Sequence, residues 1–415
     1  MSTKKSILAF CLYDAGNSAF GTVIITFVFS VYFARGVVGD ETAGAALWSY
    51  AIAASGFLIA LASPFLGAVA DHYGARKPGL VLFSALCIVP TALMYFVAPG
   101  LVALALVLLV IANTGFEIAL VYANAMLPHI APPDKIGRVS GWAWGVGYLG
   151  GLACLALTLF GLVGLGDIAP LLTLPREHSE HIRAAAPLTA LWFAVLTIPL
   201  LLWTHDVEKT NLNIGAAMRE GVRQLRDTFT RARQHKNLMV FLVASALYRD
   251  GLNTLFAVGG LYAAGTYGMN FTEILIFAIG LNVTAGIGAA AFAYADDKWG
   301  SKRTVMVSLA GLLVTGAAIL FTQDKNIFIA MALALGIFMG PAQAASRTLA
   351  ARLSPPDMVA QTYGLYSFTG KSVSFFGPLA FGLATSAFDS QRAGMATIIL
   401  FWLAGMVLLS MVKEK

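Results

Sequence analysis

Asp71-His72-Tyr73-Gly74-Ala75-Arg76-Lys77 and, 226 residues later, Asp297-Lys298-Trp299-Gly300-Ser301-Lys302-Arg303 are two readings of one pattern: an acid, a glycine and a basic pair. Each follows an apolar run long enough to cross a bilayer. Two further echoes keep the same order. Pro132-Pro133-Asp134 returns as Pro355-Pro356-Asp357, 223 residues on, each before a glycine-bearing apolar run that holds Gly141 and Gly147 or Gly364 and Gly370. Asp14 and Asn17 return as Asp250 and Asn253, 236 residues on. Three ordered matches predict a duplicated unit, and the length of each copy makes that unit a six-helix bundle.

Composition agrees with a bilayer as solvent. Hydrophobic residues make up 58% of the 415 and charged residues 12%, against roughly a quarter charged in soluble domains. A single globular domain could not bury that much apolar surface. Apolar runs fall near 6–34, 44–70, 78–97, 101–125, 136–164, 185–204, 237–264, 272–295, 304–322, 326–350, 358–387 and 391–413. The predicted fold is all-α, with twelve transmembrane helices in two six-helix, pseudo-symmetric halves at 1–204 and 237–415. Lys4 and Lys5 precede an apolar run that could pass for a signal peptide, but Asp14 interrupts it and the hydrophobicity continues to Phe33. It reads as the first span.

Orientation follows from the 27 lysines and arginines. With the N-terminus inside, the outer segments hold only Arg35, Arg176, Arg183, Lys325 and Arg392, Arg249 and Lys371 lie within spans, and the rest, Arg347 included, is counted on the inner side. That bias places both termini in the cytoplasm. The polar stretch 205–236 joins the halves. Within it Ile214, Met218, Val222, Leu225 and Phe229 recur at helical spacing among five arginines, as in an amphipathic helix on an anionic inner leaflet. The net charge of +6 therefore points to membrane lipid, with no nucleic-acid partner.

Gly67-x3-Asp71-x2-Gly74-x-Arg76-Lys77 resembles the signature loop of the major facilitator superfamily, although Ala293 replaces the first glycine in the second copy. Tyr13-Asp14-Ala15-Gly16-Asn17-Ser18-Ala19-Phe20, Leu247-Tyr248-Arg249-Asp250-Gly251-Leu252-Asn253-Thr254 and Ser140-Gly141-Trp142-Ala143-Trp144-Gly145 resemble one branch of it. That branch is the bacterial set related to the autophagy-linked vacuolar amino-acid effluxers of fungi. The resemblance covers both halves. It implies a secondary transporter of the bacterial inner membrane, acting as a monomer, with spans one, four, seven and ten lining a central cavity. Two departures set drug/proton antiport aside: span four carries no arginine, and no proline follows Gly145 or Gly147.

Ionisable groups at membrane depth are costly and default to function. Asp14 and Asn17 share a face of span one, and Asn113, Glu117 and Asn124 share a face of span four. Span seven offers Arg249, Asp250 and Asn253, and span eleven offers Lys371 between Ser367 and Ser374. The candidate binding or coupling residues are Asp14, Asn17, Asn113, Glu117, Arg249, Asp250, Asn253 and Lys371. Against this stand structural readings: Arg249 in a fixed pair with Asp14, Asp250 or Glu117, Lys371 paired with Glu117, and the asparagines as interhelical glue. Asp71, Gly74, Arg76, Asp297, Gly300 and Arg303 are read as conformational latches rather than substrate ligands. The glycines of spans five and eleven are expected to permit close packing.

Cys11, Cys87 and Cys154 each stand alone in an apolar stretch, so neither a disulfide framework nor a thiolate site is indicated. Glu177-His178-Ser179-Glu180-His181 reads as a solvated loop rather than a metal site. No phosphate-binding glycine loop and no nucleophilic triad is present, so no cofactor and no enzymatic activity is expected. The expected substrate is a small polar or zwitterionic solute such as an amino acid or related metabolite, with proton coupling through Asp14, Glu117 or Asp250. A lipid or amphiphile translocator and a non-transporting receptor of the same fold remain alternatives.

Overall fold

The computed structural model describes residues 3–72, 76–132, 136–164, 168–206, 214–355 and 358–413. The side chains of Asp71 and Asp297 and the whole of Gly74 lie outside the described residues, so the latch reading of those three positions has no structural account. Among the described residues the regular elements are helices. Helix α1 (Thr3–Ala19) runs on through wider π-helical turns at Phe20–Phe27 and Phe33–Val38, so span one is longer than its apolar run. The Thr26 hydroxyl donates to the carbonyl of Gly21, five residues back, which satisfies one acceptor freed by the wider turn. There follow α2 (Glu41–His72), α3 (Arg76–Leu93), α4 (Val102–Ile130), α5 (Ile136–Thr158) and α6 (Ala185–Trp203). After α7 (Ile214–Ala232) come α8 (Lys236–Tyr267), α9 (Phe271–Trp299), α10 (Ser301–Phe321) and α11 (Lys325–Leu353). The chain ends with α12 (Val359–Val373), α13 (Phe376–Phe388) and α14 (Gln391–Ser410).

The packing repeats as the sequence does. In the first half α1 packs on α5 and α6, α2 on α4, and α3 on α4 and α6. In the second half α8 packs on α12 and α14, α9 on α11, and α10 on α11 and α14. The two lists are the same list with helices exchanged for their repeat partners.

Among the described residues, ten helical segments are long and apolar enough to cross a bilayer. Spans seven and eleven are helical but fall outside that set. In α8 the polar group Arg249, Asp250 and Asn253 interrupts the apolar run. Span eleven, expected as one helix, is two: α12 and α13 meet at Ser374–Phe375. Pro378 supplies the reason. A proline in a helix removes one hydrogen bond and crowds the carbonyl four residues before it, here that of Ser374. The Ser374 hydroxyl instead donates to the carbonyl of Lys371 at 3.0 Å and closes the end of α12.

Helix α7 is amphipathic as expected, but its stripe divides. Ala217, Thr228 and Ala232 are buried, and the helix packs against α2, whereas Val222 and Phe229 are exposed and face away from the core. Arg231 reaches Gln361 of α12 at 3.5 Å, so the linker touches both halves.

Candidate functional site

The end of the bundle where α1 gives way to α2, which the charge bias assigns outside, is closed across the two halves. Arg35 pairs with Glu41 and donates to the carbonyls of Met269 and Ala264 at 2.6 and 2.8 Å, linking the end of span one to the α8–α9 turn. The Gln391 amide donates to the Glu41 carbonyl at 2.8 Å, and the Tyr50 and Ser386 hydroxyls lie 2.9 Å apart between α2 and α13. Phe27 meets Phe277 edge to face at 6.5 Å. Deeper still, Gly260 of α8 lies directly against the Thr26 carbonyl and 3.0 Å from the Phe27 Cα, measured from where a Cβ would sit. The sequence marks Arg35 only as an external charge, because spacing along the chain carries no sign of a partner 229 or 234 residues away.

The opposite half of the same interface is different. Gly141 and Gly145 lie on the face of α5 that carries Trp144 and Tyr148, and a Cβ at either would meet nothing within 4 Å. Gly364 of α12, on the Lys371 face, is equally unopposed. The expectation of close packing holds for Gly147, which abuts Ser18 and the Asp14 carbonyl, and fails for Gly141 and Gly364.

Between these two zones the ionisable side chains gather. The Lys371 ammonium meets the Glu117 carboxylate at 3.1 Å and the Glu117 carbonyl at 3.2 Å, an ion pair between α12 and α4 and hence between halves. Among the described residues no acid pairs with Arg249. Its guanidinium lies over the Tyr366 ring, 4.1 Å from the centroid, and donates to the Tyr366 carbonyl at 3.1 Å. Gly370 makes room for it, since a Cβ there would sit 2.7 Å from Nη1.

Arg347 is the residue that the sequence reading misplaced. Counted with the inner-side charges, it lies inside α11, with its guanidinium over the Trp144 ring of α5 at 4.7 Å. It exerts its charge on Asp14 and lies within electrostatic reach of Arg249, Tyr148, Tyr363 and Tyr366. The Asp14 side chain is half-buried and its carboxylate accepts no hydrogen bond among the described residues, and the buried Asn17 beside it leaves Oδ1 unpaired. The centre therefore draws on α1, α4 and α5 from one half and α8, α11 and α12 from the other.

Three other candidates go elsewhere. Asp250 is buried and turned to the start of α13, where Oδ2 accepts the Gly377 N–H at 2.7 Å. Adjacent residues point about 100° apart on a helix, so Arg249 and Asp250 cannot both face the centre. Asn113 donates to the Ser55 hydroxyl at 2.7 Å and joins α4 to α2 as glue. Asn253 is exposed one turn beyond Arg249.

Of the latch residues, Arg76 is buried with Nη1 2.6 Å from His129 Nδ1, and Arg303 is exposed. Gly300 adopts φ +85°, a conformation that favours glycine, and so permits the tight α9–α10 turn. A carboxylate does cap the start of α3, but it belongs to Asp206, which accepts the N–H groups of Arg76 and Lys77 at 2.8 and 3.2 Å.

Residues 30–415 match the family described as vacuole effluxer Atg22 like. An MFS-type transporter of Bacillus subtilis, YxiO, is 25% identical over 411 residues, which is 97% of this chain and 94% of that one. Autophagy-related protein 22 of Coccidioides immitis is 24% identical, over 91% of this chain and 74% of that one. Among solved structures, a bacterial homologue of the human lysosomal transporter Spinster, inward-facing and unoccupied, superposes with a TM-score of 0.73 at 13% identity over 98% and 96% of the two chains. The xylose transporter XylE of E. coli, inward open, gives 0.68 at 12% identity over 100% and 96%. Both share the major facilitator fold, and these relatives are transporters rather than enzymes.

Proposed function

The chain belongs to the vacuole effluxer Atg22-like family of major facilitator transporters, and from that membership we propose that it moves a small polar or zwitterionic solute, an amino acid or related metabolite, by alternating access. The observation that carries this reading is the cluster of opposite charges supplied by both halves and placed between a closed seam and an open one. Asp14 offers a carboxylate that nothing among the described residues neutralises by contact, and Arg249 and Arg347 offer guanidinia, so both ends of a zwitterion find a complement. The exposed glycine faces of α5 and α12 supply the surface on which the inner ends close when the outer ends part. Breaking the Glu117–Lys371 contact accompanies that motion, and protonation of Asp14 or Glu117 couples it to a proton gradient. The protein then sits in a bacterial inner membrane as a monomer with both termini in the cytoplasm.

Proteoliposomes loaded at one pH and diluted into another test this. Labelled amino acids are expected to accumulate above the equilibrium level only when the gradient is present. Absence of uptake for every amino acid, together with translocation of headgroup-labelled phospholipid, would replace this reading with a lipid translocator.

A further inference from the structure

Arg249 and Arg347 are cations of like sign, part-buried, within electrostatic reach of each other, and neither has a carboxylate in contact among the described residues. The other central cation, Lys371, is already matched by Glu117. Each guanidinium carries five N–H donors. Of these, only Arg249 Nη1 has an acceptor among the described residues, the Tyr366 carbonyl.

The way the two are held sharpens the point. The Arg249 guanidinium carbon lies 4.1 Å from the centroid of the Tyr366 ring and that of Arg347 4.7 Å from the centroid of the Trp144 ring. Stacking occupies the face of a guanidinium and leaves its in-plane N–H edge open, and that edge is the part matched to a carboxylate. The two guanidinia, one from α8 and one from α11, lie within electrostatic reach of each other, and Asp14 of α1, within reach of Arg347, adds a single negative charge. A pair of like charges held this way is unfavourable until an anion lies between them.

We infer that Arg249 and Arg347 form the carboxylate-binding half of the solute site, with Trp144 and Tyr366 as the platforms that hold their N–H edges toward the ligand and Asp14 facing the ammonium. This rests on reading the centre as the transport site and adds to it the chemistry that the solute must carry. A free carboxylate is required, and the corresponding amide or amine is rejected.

The test uses the purified full chain and ligand-induced thermal stabilisation. The probes are the common amino acids, their carboxamides and their decarboxylated amines. The wild type is expected to bind the best acid about 10- to 100-fold more tightly than its amide. Arg249→Gln and Arg347→Gln are expected to erase that preference while the amide affinity changes by no more than about threefold, with Arg→Lys variants falling between. Gly370→Ala removes no charge but displaces the Arg249 fork, and is expected to act as Arg249→Gln does.

Equal loss of acid and amide binding in these variants would make the arginines structural and overturn the inference. So would equal binding of acid and amide by the wild type, which would leave the transport reading standing. If no amino acid or analogue stabilises the wild type while phosphatidylglycerol does, through the two arginines, the anion is a lipid phosphate and the transport reading falls with it.

Discussion

Gly260→Leu is expected to reduce transport by at least an order of magnitude while leaving the protein folded. The Gly260 Cα lies against the backbone of α1, where any Cβ overlaps the Thr26 carbonyl oxygen and closely approaches the Phe27 Cα. Neither atom can yield by a rotamer change, so α8 and α1 must separate along the outer seam. Overpacking of this kind costs about 1–3 kcal/mol, which shifts a two-state equilibrium about 5- to 150-fold. A protein that rests with its outer seam closed is thereby biased toward opening it. In a background lacking Cys11, Cys87 and Cys154, all buried, a cysteine at Ala46, buried where α2 meets Gly382 of α13, is then expected to react with an impermeant maleimide added outside. Gly259 provides the control, because a Cβ there meets nothing within 4 Å. Wild-type transport by Gly260→Leu, or an equal loss in Gly259→Leu, would show that the close approach has no part in the cycle.

Asp250→Ala is expected to lower stability by about 2–4 kcal/mol, and Asp250→Asn by much less. The carboxylate accepts the Gly377 N–H at the start of α13, where the unpaired donors and the helix dipole favour an acceptor and a negative charge. Alanine leaves a buried N–H without a partner, at about 1–3 kcal/mol, and removes the charge as well. Asparagine keeps an oxygen in place. Thermal unfolding midpoints in detergent separate the two. If Asp250→Asn instead abolished proton-dependent uptake at full stability, while Asp250→Ala unfolded no earlier than wild type, Asp250 would be a coupling acid and not a cap.

The parts legible in the sequence are those written as period and repeat. The acid–glycine–basic loops, the matched Pro-Pro-Asp turns and the pairing of Asp14 with Asp250 foretold the duplicated packing, because a repeat in sequence is a repeat in contact surfaces. The Glu117–Lys371 pair was among the pairings open to those residues, since mid-span charges seek one another. What the chain does not display is helical phase relative to the other half. Arg249 and Asp250 are neighbours in sequence, yet one stacks on Tyr366 and the other caps α13. Arg347, six residues before the end of α11, was grouped with the inner-side charges, because apolar content does not reveal which face of a helix end turns inward. The break at Ser374 was readable from Pro378 but was hidden by the unbroken apolar run. Arg35 and Asp206 act through distant backbone groups, which no local pattern announces.

Alternating access is tested most directly by spin-label distances across both ends of the bundle in the same protein. One pair of labels sits at Ala43 and Phe388, exposed on either side of the outer seam, and the other at Ser140 and Ala351 near the inner ends of α5 and α11. Adding a stabilising amino acid under a pH step is expected to produce a second population in which the outer distance lengthens as the inner one shortens. Distances that stay fixed with ligand bound, or that change in the same direction at both ends, would contradict the account.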